Sequence, residues 1–447
     1  MTRILPTIGP ISCSLSSIKK FSSLTKLIRI NGSHNTINWH EKISSKIKSV
    51  NKDTTVLFDI PGIKPRTLNN NIVLIKKNNL CCFYFKKKPL LKNISHFIEL
   101  SNPLPKLKRN KYFSLSDGSF QFLTKKIKSN YIIGKSNQKF NLEPRKGLNV
   151  PGSVYSTNEQ NKKYLVFLKK AKNVKFNAIG LSFVQDSKII KIIKNLYPNK
   201  IIVSKVENSE GLKNCEQIVE ASDLIMIDRG DLGAEIGNEN LYNAIIKITS
   251  IANKHGKIVI MATENLQSMI NNPSPYKSEL VSLEFSLSLN SDFIMLSEET
   301  AISPNYLRTA SWLNDFLIKK NKNKFIKKQP TSIWDNLNLS DNSTVVIFSK
   351  RGYAISKMRK VNKKLKILLF SDNYKTNEIN NLRANTECIL TKKFDKKNLN
   401  NFIFKNIKKY KSKIFKNSNE AILIHVVFPR KNSRANTFSL IKKDDFI

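Results

Sequence analysis

Ile201-Ile202-Val203-Ser204-Lys205-Val206-Glu207-Asn208 begins as an unbroken apolar run and ends in charge. A strand buried on both faces reads this way where it opens into a polar site. Two other stretches have the same form. Leu224-Ile225-Met226-Ile227 leads into Asp228-Arg229-Gly230-Asp231-Leu232-Gly233, and Leu27-Ile28 leads into Arg29-Ile30-Asn31-Gly32-Ser33-His34. Apolar runs at 4–8, 56–58, 178–181, 258–262 and 293–296 join those at 27–30, 201–204 and 224–227, with helix-length segments between most of them. Eight such units are the count of a closed (β/α)8 TIM barrel, and the polar residues after them would line its C-terminal mouth.

The spacing breaks once. After Asp59-Ile60-Pro61-Gly62-Ile63-Lys64-Pro65-Arg66 the next barrel-like run does not come until residue 178. Between them lie strand-like pieces at 82–85 and 131–133, with turn signals at Asp117-Gly118 and Pro151-Gly152. This predicts a small inserted β domain over 68–149. A basic run ending near Gln329-Pro330 reads as a linker. Beyond it, runs at 345–348, 367–370, 387–390 and 422–427 alternate with helical stretches and predict an open α/β domain. The expected organisation is therefore a barrel from 1–67 and 150–325, an inserted lid-sized β domain at 68–149, and a C-terminal α/β domain at 326–447.

Composition narrows the function classes. A chain of 447 residues with 40% hydrophobic content, 14 glycines and 15 prolines is neither fibrous nor wholly disordered. Its formal charge of +44 attracts anions, but the basic residues are scattered rather than gathered around aromatic platforms. No specific nucleic-acid partner is expected. Cys13, Cys81, Cys82, Cys215 and Cys388 have no metal spacing and are odd in number, which favours a reducing compartment. The strand pattern starts at Ile4, leaving no room for a signal peptide, and no apolar stretch approaches membrane length. The expectation is a soluble cytoplasmic protein without a membrane partner.

Acids are scarce, 33 against 77 basic residues, so carboxylates embedded in apolar strand ends stand out. Glu207 and Asp231 offer the hard oxygens that Mg2+ or Mn2+ takes, while Gly230 and Gly233 let backbone approach a ligand. The bland alternative for each acid is a solvated βα loop. Lys205 lies two residues before Glu207, on the same side of a strand, and a fixed ammonium there neutralises phosphoryl oxygens as charge builds during transfer. Arg29 and Arg66 suit phosphate clamping. Asn31 and Ser33 read equally well as the start of a helix with Ser33 as its cap. Thr263 and Ser297, at the ends of the seventh and eighth strands, also read as helix caps.

In chain order, Arg3-Ile4-Leu5-Pro6-Thr7-Ile8-Gly9-Pro10, Arg29-x-Asn31-x-Ser33-His34, Asp59-x-x-Gly62-x-Lys64-x-Arg66, Lys146-Gly147-Leu148-Asn149-Val150-Pro151-Gly152, Ser204-Lys205-Val206-Glu207-Asn208, Arg229-Gly230-Asp231-Leu232-Gly233, Met261-Ala262-Thr263 and Met295-Leu296-Ser297-Glu298-Glu299-Thr300 form a series. This series resembles the pyruvate kinase family from residue 1 to about 301, and residues 432–442 resemble its closing strand. The resemblance implies a glycolytic phosphotransferase that converts phosphoenolpyruvate and ADP to pyruvate and ATP. It implies Mg2+ or Mn2+ on Glu207 and Asp231, and Lys205, Arg29 and Arg66 around the transferred phosphoryl group. It places substrate by Gly230, Asp231, Thr263 and Ser297, with Thr263 on the path of the proton that reaches C3. It puts Arg29 and His34 on the nucleotide side and a monovalent-cation site at Asn31, Ser33 and Asp59, with the main chain at Ile60. A homo-oligomer is also implied.

Lys64 stands where many members carry Glu. The resemblance then implies potassium independence, the ammonium substituting for the monovalent ion.

The chain departs from the family at Glu264, Asn265 and Glu298, where Gln, Met and Gly are usual, and through Pro275-Tyr276-Lys277-Ser278-Glu279 and Val281-Ser282-Leu283-Glu284-Phe285-Ser286. Two added carboxylates would weaken anion binding, and Glu298 would add bulk. The alternative reading is a drifted paralogue with low or lost phosphotransfer activity that binds phosphometabolites. The inserted domain is short for the family, and Ser349 alone in the Phe348–Ala354 loop region, 348–354, suits a sugar-phosphate effector, so no fructose-bisphosphate control is expected.

Overall fold

The computed structural model describes residues 2–106, 111–322, 339, 343–361, 364–395, 398–425 and 437–446. Eight parallel strands close into a barrel: β1 (Arg3–Ile8), β2 (Leu27–Asn31), β3 (Thr55–Ile60), β4 (Ala178–Leu181), β5 (Ile201–Lys205), β6 (Leu224–Asp228), β7 (Ile258–Ala262) and β8 (Phe293–Leu296). Each pairs with its sequence neighbour, and β8 pairs with β1 to complete the ring. All eight runs expected from apolarity are strands.

Both faces of these strands are buried, which is why their apolarity does not alternate. Leu5, Leu27, Leu57, Ala178, Ile201, Val203, Leu224, Met226, Ile258, Ile260, Phe293 and Met295 pack inside the ring. Their immediate neighbours, among them Ile4, Ile28, Val56, Ile202, Ile225 and Val259, pack outward against the helices. Helix Ile37–Val50 shows how the outer layer is specified. Thr36 caps its N-terminus by accepting from Trp39 N–H, and Ile43 and Ile47, four apart, turn one stripe inward. Each fully buried aliphatic side chain contributes about 1.5–3 kcal/mol relative to exposure.

The same two-residue period positions the chemistry. Following the inward row toward the C-terminal end, Leu5 is succeeded by Thr7, Leu27 by Arg29, Leu57 by Asp59, Val203 by Lys205 and Met226 by Asp228. Side chains two apart on a strand share a face, so these five polar groups form a layer on top of the apolar interior. Gly180 is the matching inward position of β4, and a Cβ there would lie 2.8 Å from Asp59 Oδ1. The missing side chain makes room for the carboxylate.

Between β3 and β4 the chain builds a six-stranded sheet and a two-stranded ribbon from strands lying between Val73 and Asn149. The C-terminal sheet has five strands in the order Thr386–Leu390, Lys366–Ser371, Thr344–Phe348, Glu420–His425, Thr437–Lys442, the last antiparallel and the others parallel. The expected linker at Gln329-Pro330, residues 426–427 of an expected strand, and 432–436 of the expected closing strand lie outside the described residues; 437–442 is a strand. Among the described residues no helix is long and apolar enough to cross a membrane. All five cysteines are free.

Candidate active site

Lys205 ends β5 with its ammonium 2.7 Å from Glu207 Oε1, 3.3 Å from Asp228 Oδ2 and 3.5 Å from Asp59 Oδ2. The residue is 4% exposed. Burial alone would lower its pKa, but Asp59, Glu207 and Asp228 outweigh that and hold the ammonium well above its usual range. Arg29 reaches the same Asp59 oxygen through Nη2 at 2.8 Å and Nε at 2.9 Å, and Nη1 donates to Thr7 Oγ1 at 3.0 Å. Burial would raise the Asp59 pKa, yet Lys205 and Arg29 together pull it below the ordinary carboxylate value. Ser182, at the top of the β4 row, lies 3.4 Å from both Lys205 Nζ and Asp59 Oδ1.

A second set of acids adjoins this layer. Asp228 ends β6 and caps helix Arg229–Ile236 by accepting from Asp231 N–H, which brings Asp231 back over the strand end. Glu207, Asp228 and Asp231 each present an oxygen within 4.8 Å of the others. Glu207 Oε2 accepts from Phe183 N–H at 2.7 Å, whereas Oε1 faces Lys205 without hydrogen-bond alignment. Three convergent hard oxygens with lone pairs to spare fit a divalent cation of the Mg2+ class. Thr263, just past β7, donates from Oγ1 to Asp228 Oδ1 at 2.9 Å and accepts from Gly230 N–H at 3.1 Å.

Lys64 pairs with two carboxylates at the barrel mouth. Its ammonium lies 2.5 Å from Asp231 Oδ1 and 2.8 Å from Asp117 Oδ1; among the described residues these are its ion-pair partners. Among the described residues Asp59 forms its ion pairs with Arg29 and Lys205, not with Lys64. Gly147 passes so closely that a Cβ there would lie 2.4 Å from Lys64 Cε. Burial opposes the charge, but Asp231 and Asp117 hold this pKa above the usual lysine value. Asp117 comes from the inserted domain, on a turn where Ser116 and Asp117 both adopt left-handed φ angles. The inserted domain thus touches the barrel mouth through an ion pair.

Asn31 Oδ1 accepts from Ser33 N–H and Gly32 N–H donates to Asp59 O, so a tight turn follows β2. The helix that follows is capped by Thr36, not Ser33. His34 is exposed at the mouth; partial enclosure, then Arg66 and Arg29, lower its pKa. Arg66 is half-buried and donates from Nη1 to Arg145 O, while its backbone bridges to Gly147. Ser297 ends β8 with its N–H donating to Glu299 Oε2, and its hydroxyl makes no hydrogen bond to the carboxylate cluster. Glu298 is exposed, so the expected crowding does not arise, and Glu264 is exposed as well. Asp228, Ser182 and Asp117 were not singled out as site residues from the sequence. The first was findable: an Asp ending an apolar run three residues before another Asp is an N-cap signal.

Two kinds of comparison with known proteins bear on this geometry. The family model for the pyruvate kinase barrel domain matches residues 1–309. The pyruvate kinase of Thermoplasma acidophilum is 29% identical over 327 residues, covering 71% of this chain and 58% of that protein. That of Dictyostelium discoideum is 28% identical over 315 residues, 67% of this chain and 62% of its own length. That of Thermotoga maritima is 28% identical over 356 residues, 76% and 75% respectively. The match therefore spans about six-tenths of the first two relatives. Since the barrel model alone takes in 309 of the 447 residues, this chain belongs to the pyruvate kinase family.

Proposed function

We propose that the protein transfers the phosphoryl group of phosphoenolpyruvate to ADP, giving pyruvate and ATP. The observation that carries this reading is the buried Lys205 ammonium, held among Asp59, Glu207 and Asp228 with Arg29 adjoining. Such a group is fixed before substrate arrives, so it stabilises charge on transferring phosphoryl oxygens without reorganising. Arg29 and Arg66 add planar, forked donors whose geometry matches phosphoryl oxygens. Glu207 and Asp231, with Asp228 beside them, would hold Mg2+ or Mn2+, which when bound supplies positive charge across the substrate's oxygens. Gly230 and Ser297 border the substrate, His34 serves the nucleotide side, and Thr263 positions the path of the proton that reaches C3.

Residues 68–149 act as a lid on a barrel formed by 1–67 and 150–325, with 326–447 as a separate α/β domain. The Lys64–Asp117 pair supports closure, which limits hydrolysis in competition with transfer. Asn31, Ser33 and Asp59 remain the candidates for a monovalent site, but Asp59 is already paired with two cations. Together with the added charge of Lys64 beside Asp231, this supports turnover without potassium. The protein works in the cytoplasm, as a homo-oligomer.

The test is pyruvate formation by purified protein, with phosphoenolpyruvate, ADP and Mg2+ each omitted in turn. The reading expects turnover only in the complete mixture. Folded protein that binds phosphoenolpyruvate but forms no pyruvate with either Mg2+ or Mn2+ would favour a binding protein instead.

A further inference from the structure

Two consecutive residues after β7, Thr263 and Glu264, have φ angles of 59° and 51°. Left-handed backbone costs an L-residue roughly 1–2 kcal/mol, and for a β-branched threonine it is a genuine outlier. Such a conformation persists only where its surroundings over-determine it. Here one side chain does so. Arg229 Nε donates to Thr263 O at 3.2 Å, and Nη2 donates to the same oxygen. Nη2 also donates to Asn265 Oδ1 at 2.8 Å, while Nη1 donates to Ser282 Oγ. Asn265 Nδ2 in turn donates to Met295 O at 2.8 Å on β8. The guanidinium is thus fixed on three sides, and its fork grips the carbonyl of the strained residue.

We infer that Arg229, locked by Asn265 and Ser282, is a positioning residue for Thr263. The inference rests on the phosphotransfer reading above. Arg229 acts at a distance from the reacting atoms, through the turn: with Thr263 O clamped, Thr263 Oγ1 is aimed at Asp228 Oδ1 and Gly230 N–H, beside Asp231. The departures at Asn265 and Ser282 then have one shared partner, and neither is idle drift. A lysine keeps the charge of Arg229 but cannot supply the two-pronged grip on one carbonyl.

Three variants test this in the full-length protein with Mg2+: Arg229→Lys, Asn265→Ala and Ser282→Ala. The readouts are kcat, KM for phosphoenolpyruvate, and the rate at which the methyl protons of pyruvate exchange with D2O, followed by proton NMR. Circular dichroism and thermal unfolding report the fold. A misaimed hydroxyl lowers rates by up to about 10²-fold, as expected for a displacement near 1 Å. Arg229→Lys should therefore lose about 10–100-fold in kcat and at least as much in C3 exchange, with KM changed less than about twofold. Asn265→Ala should lose less, and Ser282→Ala least. Combined with Arg229→Lys, each should add little further, because the three act as a unit. Folded variants with wild-type kcat and exchange, or with raised KM at unchanged kcat, would overturn the inference. If Arg229→Lys does not fold, Ser282→Ala decides by the same readouts, since it removes one half-buried hydroxyl from a helix flank. An inactive, non-exchanging wild type would instead defeat the phosphotransfer reading, and this inference with it.

Discussion

In the barrel, the inward rows that pass through Leu27, Leu57, Val203 and Met226 end in Arg29, Asp59, Lys205 and Asp228. In the C-terminal sheet, parallel strands end in Phe348, Ser371 and Leu390, and Phe348 stacks on Phe370 with ring centroids 4.6 Å apart. Both sheets are covered on two faces, and both satisfy the same burial rule. They differ in closure. A closed ring turns alternate residues of eight strands toward one axis, so Asp59 of β3 and Asp228 of β6 meet within 3.5 Å of the β5 ammonium of Lys205, and Arg29 of β2 reaches the same Asp59 oxygen. An open sheet sends alternate residues to two separate faces, and its strand ends do not converge: Phe348 packs on an aromatic ring while Leu390 is exposed. Strand apolarity thus marks burial in both regions, while convergence of charge marks the site.

The comparison breaks most visibly if the central cation is removed. Lys205→Met leaves Asp59, Glu207 and Asp228 facing one another, so the loss is both catalytic and structural. We expect kcat to fall about 10²–10³-fold, as for loss of a fixed transition-state donor. Unfolding free energy should fall by about 3–5 kcal/mol, as when one partner of a buried ion pair is deleted. Steady-state kinetics and urea titration read the two separately; a near-normal kcat would remove Lys205 from its role. The equivalent truncation in the other sheet, at Ser371→Ala, should leave kcat unchanged.

Asp231→Asn should weaken the apparent affinity for Mg2+ on the order of tenfold, because it removes one charge from a small carboxylate set. Mn2+ binding followed by electron paramagnetic resonance checks this without turnover. The variant also strips Lys64 of a partner, so its pair with Asp117 should persist while the metal contact weakens.

Glu235 sharpens the comparison through pH. It is fully buried beneath the mouth, where Tyr155 and Asn149 both donate to its Oε1 while Oε2 has no hydrogen-bond partner among the described residues. Burial, against the opposing pull of Lys64, pushes its pKa up to about 7. Its folded pKa thus lies above the unfolded value, and between about pH 4.5 and 7 the native state binds the extra proton. Stability should fall as pH rises through that window, by at most about 3 kcal/mol, and level off above it. Glu235→Gln should flatten the profile, measured by urea unfolding at pH 5 and pH 8. An unchanged slope would mean that other groups set it.

Gly180→Ala adds a Cβ 2.8 Å from Asp59 Oδ1 and should cost about 1–3 kcal/mol by displacing that carboxylate from Arg29 and Lys205. The smallest expected effect is that of potassium. Activity in tetramethylammonium should match that in potassium at equal ionic strength to within about twofold, given the occupied state of Asp59 and the extra charge of Lys64. Strong activation by potassium would require Asn31 and Ser33 to take up the ion despite both lysines.

The eight barrel strands were legible because burial on two faces leaves continuous apolar runs, whereas the polar layer was legible only in part, since Asp228 was not singled out. Lys205, Glu207, Asp231 and Arg29 stood out as charge at the ends of such runs. What the sequence did not disclose depends on contacts across the fold. Lys64 follows β3, and its pairing with Asp231, 167 residues on, could not be read from either local stretch. Asp117 reaches the mouth only through the docking of the inserted domain, which no local pattern encodes. Asn265 and Ser282 read as isolated departures because their common partner, Arg229, lies 36 and 53 residues away.

The central claim is that this charged layer moves a phosphoryl group from phosphoenolpyruvate to ADP. Phosphorus NMR on the full-length protein with both substrates and Mg2+ tests it without coupling enzymes. The account predicts that the phosphoenolpyruvate resonance decays as the γ-phosphate resonance of ATP grows, in equal amounts and only while ADP remains. Persistence of phosphoenolpyruvate beside folded protein, or its decay to inorganic phosphate alone, would contradict it.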